Sequence, residues 1–180
     1  MRLLAISGSL RAASSNTRVI EALARLAPAG VAVEVYRGLG ELPHFNPDLE
    51  DSLPATVADL RRRVGEADGL VICSPEYAHG VAGTMKNALD WLVPSLEFPQ
   101  TPVALINASP RARHAIAHMR ETLLTMSARI VDDACVEIDL GGRPLSAEEI
   151  AADGRIGPDL KAALAAFADA IAAFGPRTLD

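Results

Sequence analysis

The chain has 180 residues, 49% of them apolar and 22% charged, with a formal net charge of -6. This is ordinary globular composition for one core, so a single domain over residues 1–180 is expected, and both long disorder and a pair of enzymatic domains are disfavoured. No clustered Lys and Arg faces nucleic acid, no apolar run approaches the roughly 18 residues of a membrane span, and the start before Gly8 is too short for a signal peptide, so the chain reads as cytoplasmic with neither nucleic acid nor membrane as partner.

Five aliphatic and β-branched runs read as strands: residues 2–7, 31–37, 69–73, 102–108 and 129–138. Helical periods fall between and after them. They are marked by Val19, Leu23 and Leu26, by Val57, Leu60 and Val64, by Met85, Leu89 and Leu92, and by Ile116, Met119, Leu123 and Met126. The last, Leu160, Leu164, Phe167, Ile171 and Phe174 with Pro158 near its start, is predicted to lie flat on the sheet. Arg61-Arg62-Arg63 reads as a solvated helix face. Cys73 and Cys135 read as small core residues within strands, not as a disulfide.

Strict alternation of strand and helix predicts a parallel sheet covered on both faces, a three-layer α/β/α arrangement. Five strands suit the flavodoxin-like order 2-1-3-4-5 better than the six-stranded dinucleotide fold. In that order the carboxyl ends of strands one and three open a crevice for ligands.

The loop after strand one, Gly8 to Thr17, carries hydroxyls at Ser9, Ser14, Ser15 and Thr17, the Asn16 amide and the Arg11 guanidinium, just before a helix amino end. Such an end binds anions through its unpaired N–H groups; a plain cap, by Ser15 or Asn16, would need only one of these residues. After Gly8 neither the Walker loop nor the dinucleotide fingerprint continues, and Glu34 lies inside its strand, so a lone terminal phosphate is the better fit. The loop after strand three, Ser74-Pro75-Glu76-Tyr77-Ala78, offers a stiffened backbone and an aromatic ring to a flat heterocycle, or is simply a surface turn.

Together, Gly8-Ser9-Leu10-Arg11 with Ser14 and Asn16, Ser74-Pro75-Glu76-Tyr77, and Lys86-Asn87-Ala88-Leu89-Asp90-Trp91-Leu92 resemble the NADPH-dependent FMN reductase family, which includes quinone, chromate and azo-dye reductases. The resemblance implies that Ser9, Arg11, Ser14, Ser15 and Asn16 hold the FMN phosphate, with Thr17 at the helix start. It implies that Pro75, Glu76, Tyr77 and Ala78 line the flavin, that Asn87 and Asp90 tie the preceding loop, and that Trp91 packs. Where the family often has glycines, the loop after strand four has Ser109, Pro110, Arg111 and Arg113. Ser109 and Arg111 join the expected cofactor site, and Arg111 or Arg113 is a candidate for the flavin or a nucleotide phosphate.

The implied reaction takes a hydride from NADPH or NADH onto FMN and passes it to a small acceptor (quinone, free flavin, azo compound or metal oxyanion) in a ping-pong cycle, with no catalytic side chain and no metal. A homodimer or homotetramer is expected, with Leu92, Val93, Leu96 and Phe98 at the contact. The rivals are a flavodoxin-type electron carrier or redox sensor, and a serine hydrolase using Ser9 or Ser14 with His114 or His118, which lacks the Gly-x-Ser-x-Gly turn.

Overall fold

The computed structural model describes residues 1–175; residues 176–180, part of the expected single domain, lie outside the described residues. Three strands, buried along their length except at Arg2, form the centre of the sheet: β1 (Arg2–Ser7) lies beside β3 (Gly69–Cys73), which lies beside β6 (Pro102–Asn107). The edge strand β2 (Ala32–Tyr36) pairs with β1, and every pairing in this sheet is parallel. Strands buried on both faces need apolar residues at every position, which is why Leu3 to Ile6 and Leu70 to Cys73 read as unbroken runs.

Helices α1 (Ser15–Arg25) and α6 (Ile156–Phe174) join one core layer through Val19, Leu23, Leu160, Leu164 and Phe167. The other layer, with Leu60, Val64, Met85, Leu89, Met119 and Leu123, is supplied by α2 (Ala55–Glu66), α3 (Gly83–Leu92) and α4 (Arg113–Thr125). The sheet order is β2-β1-β3-β6-β7, with β7 the short strand Arg129–Ile130, the flavodoxin-like arrangement expected from the sequence.

The fifth strand departs from expectation. In place of one strand over 129–138, β7 (Arg129–Ile130) and β8 (Val136–Glu137) each add two residues to β6, separated by a 3-10 turn at Asp132–Ala134. The exposed carboxylates of Asp132 and Asp133 have no place in a buried ladder, and the chain bulges out to solvate them. Cys135 therefore lies beside a strand, not in one; both cysteines are free, as expected.

A two-stranded hairpin, β4 (Glu76–Tyr77) with β5 (Gly80–Val81), and a short helix α5 (Ala147–Ala152) were not expected from the periodicity. α5 is announced by a capping box, in which the Ser146 hydroxyl accepts from Glu149 N–H and the Glu149 carboxylate accepts from Ser146 N–H.

Other readings change too. Arg61 is not solvated: its guanidinium is almost enclosed, grips both Glu50 oxygens at 2.8 and 3.0 Å and donates to the Trp91 carbonyl. Arg62 and Arg63 do lie on the surface face, paired with Asp59, and Arg63 also with Glu34. Asn87 ties a different loop, accepting from Phe45 N–H and donating to the Pro43 carbonyl, while Asp90 pairs with Lys86 at 2.6 Å. Trp91 packs as expected, edge-on to Phe45.

Leu92 and Phe98 are core residues, leaving only Val93 and Leu96 of the expected subunit contact exposed. The α6 periodicity holds through Ile171, but Phe174 is exposed and lies beneath the Arg129 guanidinium.

Candidate functional site

The carboxyl ends of β1, β3, β6 and β8 open onto one cleft of about 920 Å³, at the upper end of the about 300–1,000 Å³ typical of small-molecule sites. Its first wall is the β1–α1 loop, which leaves the sheet at Gly8. There Gly8 N–H donates to the Cys73 carbonyl at 2.9 Å, and Thr84 at the start of α3 donates its hydroxyl to the Gly8 carbonyl at 2.8 Å. A Cβ on Gly8 would lie 2.2 Å from Ser74 Oγ, so the loops after β1 and β3 touch at this point.

The loop then turns at Arg11, whose carbonyl accepts from Ser14 N–H, and enters α1 with Ser14 as the cap; the Ser14 hydroxyl accepts from Thr17 N–H. The Thr17 hydroxyl donates to Ser7 Oγ at 2.8 Å, bracing the loop from beneath. The backbone N–H groups of Ala12, Ala13, Ser15 and Asn16 have no partner among the described residues; Ala13, Ser15 and Asn16 line the cleft, the last two as the first residues of α1. That donor set, with the Arg11 guanidinium beside it, fits a phosphate. Ser9, Arg11, Ser14, Ser15 and Asn16 line the cleft, whereas Thr17 stands behind them.

The second wall is the β3–α3 segment. Pro75, Glu76 and Tyr77 line the cleft, and Ala78 sits in the hairpin turn outside it. Both turn residues, Ala78 (φ 49°) and His79 (φ 58°), are left-handed, as a two-residue hairpin of type I′ requires, although neither is glycine or asparagine. Tertiary contacts hold this turn: Glu76 Oε2 accepts from Ala115 N–H at 2.8 Å, and the His79 ring stacks on His114 at 4.2 Å. The Glu76 side chain is thus committed to the start of α4, leaving its backbone for a ligand.

The third wall runs from Ala108 to Ala112, with Ser109 held by its N–H to Asn107 Oδ1 and Arg111 exposed; Arg113 is not part of it. The fourth, Asp139 to Pro144, escaped sequence reasoning altogether. Its signal was present in Gly141-Gly142, which take positive φ angles of 60° and 72° and turn the chain back under Arg143. Arg18, on α1 past the loop, was also missed.

Beneath these walls Cys73 ties three strand ends together. Its thiol donates to Asn16 Oδ1 at 3.2 Å, and burial pushes its pKa up to about 12, an effect that the nearby Ala108 N–H partly opposes. Ser14 is occupied as a helix cap and His114 lies against His79, so neither stands as part of a nucleophile and base pair. Among the described residues there is no cluster of three metal-ligating side chains, and no helix is long and apolar enough to cross a membrane.

A profile of the NADPH-dependent FMN reductase family matches residues 1–142. The chain is 32% identical over 142 residues to a quinone reductase of Escherichia coli, covering 73% of this chain and 74% of that one. It is 33% identical over 130 residues to an NAD(P)H-dependent FMN reductase of Pseudomonas aeruginosa, covering 69% and 70%. Among solved structures it resembles FerB, a flavoenzyme NAD(P)H:(acceptor) oxidoreductase of Paracoccus denitrificans, with a TM-score of 0.77 and 28% identity over 96% of this chain and 97% of that one.

Proposed function

The chain belongs to the NADPH-dependent FMN reductase family, and from that premise we propose that it carries electrons from NAD(P)H to a small acceptor in two half-reactions, bound FMN supplying the hydride relay. It is an oxidoreductase with FMN as cofactor and NAD(P)H as reductant. One observation carries the reading: the unpaired amides at the start of α1 open into the same cleft as Pro75, Glu76 and Tyr77. A phosphate and a flat ring are thereby offered sites that face one another across the β1–β3 junction.

In this reading Ser9, Arg11, Ser14, Ser15 and Asn16 bind the terminal phosphate, with Thr17 positioning Ser14 and Ser7 from behind. Pro75 and the backbone of Glu76 and Tyr77 meet the ring, Ala78 acts through the hairpin it turns, and Ser109 and Arg111 close the far side. The work of these residues is orientation: they hold one face open for donor and acceptor in turn. A quinone is the favoured acceptor, matching the named activity of the Escherichia coli relative.

The absorption spectrum of purified protein, followed by anaerobic NADPH and then a benzoquinone, tests the reading. A flavin spectrum that NADPH bleaches and the quinone restores is expected. Protein that is colourless and takes up no added FMN would overturn it, and flavin that neither NADPH nor NADH bleaches would favour the electron carrier.

A further inference from the structure

Four arginines, Arg11, Arg18, Arg111 and Arg143, line the cleft of a chain whose net charge is -6. The only carboxylates on the same walls are Glu76 and Asp139, each held by a backbone N–H, of Ala115 and Gly141, at 2.8 Å, so four guanidiniums stand against two carboxylates. The cleft is therefore cationic, and a concave cationic site selects anions.

The arginines divide into two pairs by the elements that carry them. Arg11 belongs to the loop at the free end of α1, and Arg18 lies on α1 itself, with Nη1 donating to the Leu145 carbonyl. Arg11 attends the phosphate site already described, whereas the Arg18 guanidinium reaches from α1 to the segment just past Pro144. Arg111 and Arg143 come from loops that leave neighbouring strands, β6 and β8, which are in register at Asn107 and Glu137 and joined further by Ile138 N–H to the Asn107 carbonyl at 2.7 Å. Between β8 and β1 stand β6 and β3, so these two loops begin on the opposite side of the cleft from the α1 end, and the loop after β8 reaches α1 at Leu145, where Arg18 holds its carbonyl.

Arg143 is prearranged. Its Nε donates to the Leu140 carbonyl at 3.1 Å, and one Nη2 contact reaches Asp153 at 3.2 Å. The other Asp153 oxygen accepts from Arg155 and Ile156 N–H at the start of α6, so that carboxylate is divided between helix and guanidinium. The remaining N–H groups of Arg143 are free for a ligand, and the whole Arg111 guanidinium is unpaired among the described residues. A single FMN has one phosphate, which the α1 end satisfies; a second cationic pair answers to a second anion.

We propose that Arg111 and Arg143 form a separate subsite for a phosphate of the nicotinamide co-substrate, distinct from the FMN phosphate site. The inference rests on the functional reading above and adds the residues that recognise the reductant. Two sources share this chemistry: the ribose 2′-phosphate that only NADPH carries, and the pyrophosphate common to NADPH and NADH. Bidentate guanidinium contacts favour either one.

The test uses FMN-loaded protein and the variants Arg111→Ala, Arg143→Ala and Arg143→Lys. Arg111→Ala perturbs the fold least, because the Arg111 side chain makes no bond among the described residues. Each alanine variant is expected to raise the KM for NADPH by about tenfold, the size of one lost charge-assisted contact, and Arg143→Ala, which lies outside the flavin site, to leave FMN affinity unchanged within about twofold. Calorimetric titration with adenosine 2′,5′-bisphosphate and with ADP supplies a readout independent of turnover.

Weakened NADPH and 2′,5′-bisphosphate binding with NADH and ADP unaffected assigns the subsite to the 2′-phosphate. Equal weakening of all four assigns it to the pyrophosphate. Unaltered nucleotide binding in both alanine variants, or a fall in FMN affinity with KM unchanged, overturns the proposal. Protein that never acquires a flavin spectrum defeats the underlying functional reading instead, and is distinguished by that spectrum alone.

Discussion

The Cys73 thiol donates to Asn16 Oδ1 at 3.2 Å, joining the end of β3 to the first turn of α1. Because the amide oxygen is taken by the thiol, the Asn16 NH2 is the part left for a ligand. Cys73→Ala should therefore weaken FMN binding by about tenfold, while Cys73→Ser, which keeps a donor, should retain most of it. Flavin fluorescence during titration of protein freed of its cofactor checks both. Equal losses in the two variants would mean that packing, not the donated proton, is what matters.

Two buried acids predict a fall in stability at high pH. Burial holds the Cys73 thiol protonated up to about 12 against an ordinary value near 9, and holds Tyr36 up to about 12 against 10, with Asp59 adding to the latter. Between these limits the unfolded chain has lost protons that the folded one keeps, so the native state binds more protons and stability declines as pH rises. The decline should begin near pH 9 for Cys73 and near pH 10 for Tyr36, costing at most about tenfold in the folding constant per pH unit for each group. Urea unfolding from pH 8 to 11 measures it, and Tyr36→Phe should flatten the upper part.

Gly8 is where two walls of the cleft meet. An alanine Cβ there would come within 2.8 Å of Ser74 Cβ and 3.1 Å of Ser74 Cα, and the second contact is backbone, which rotation of the serine cannot relieve. Gly8→Ala should cost about 1–3 kcal/mol of stability and displace the loops that hold phosphate and ring. The double variant Gly8→Ala with Ser74→Gly should recover part of both losses. Non-additivity in thermal unfolding and in FMN affinity is the measurement.

The Arg61 clamp predicts a contrast between neighbours. Arg61→Ala leaves Glu50 without its cation and the Trp91 carbonyl without its donor in a largely enclosed place, and should cost about 3 kcal/mol. Arg62→Ala removes two exposed pairs, with Asp59 and Glu66, which water and salt screen, and should leave the denaturant midpoint nearly unchanged. Denaturant midpoints of the two variants give the comparison directly.

The three buried strands and their helices were legible because apolar run length and helical period report burial directly, from Leu3 to Ile6 and from Leu160 to Ile171. The phosphate loop was legible because hydroxyls, an amide and a guanidinium crowd before Val19, where one cap would suffice. What stayed hidden depends on partners distant in sequence. Arg61 looks like its neighbour Arg62 until Glu50 and Trp91 close over it.

The β4–β5 hairpin was hidden for another reason. Ala78 and His79 carry no turn signal, and only the Glu76 contact to Ala115 and the His79 stack on His114 offset their left-handed backbone. The wall from Asp139 to Pro144 was lost because residues 129–138 were read as one strand, which drew attention from the Gly-Gly turn just past its end.

The interruption of that strand has a consequence for how the protein behaves in company. An unbroken strand beside β6 would expose a straight row of backbone donors and acceptors, a template on which another chain could add itself. With β7 and β8 only two residues each and a turn between them that carries the Asp132–Arg120 ion pair and the exposed Asp133 carboxylate, that margin offers a newcomer neither length nor apolar ground. Crowded molecules of this protein are thereby steered away from edge-to-edge accretion on that side.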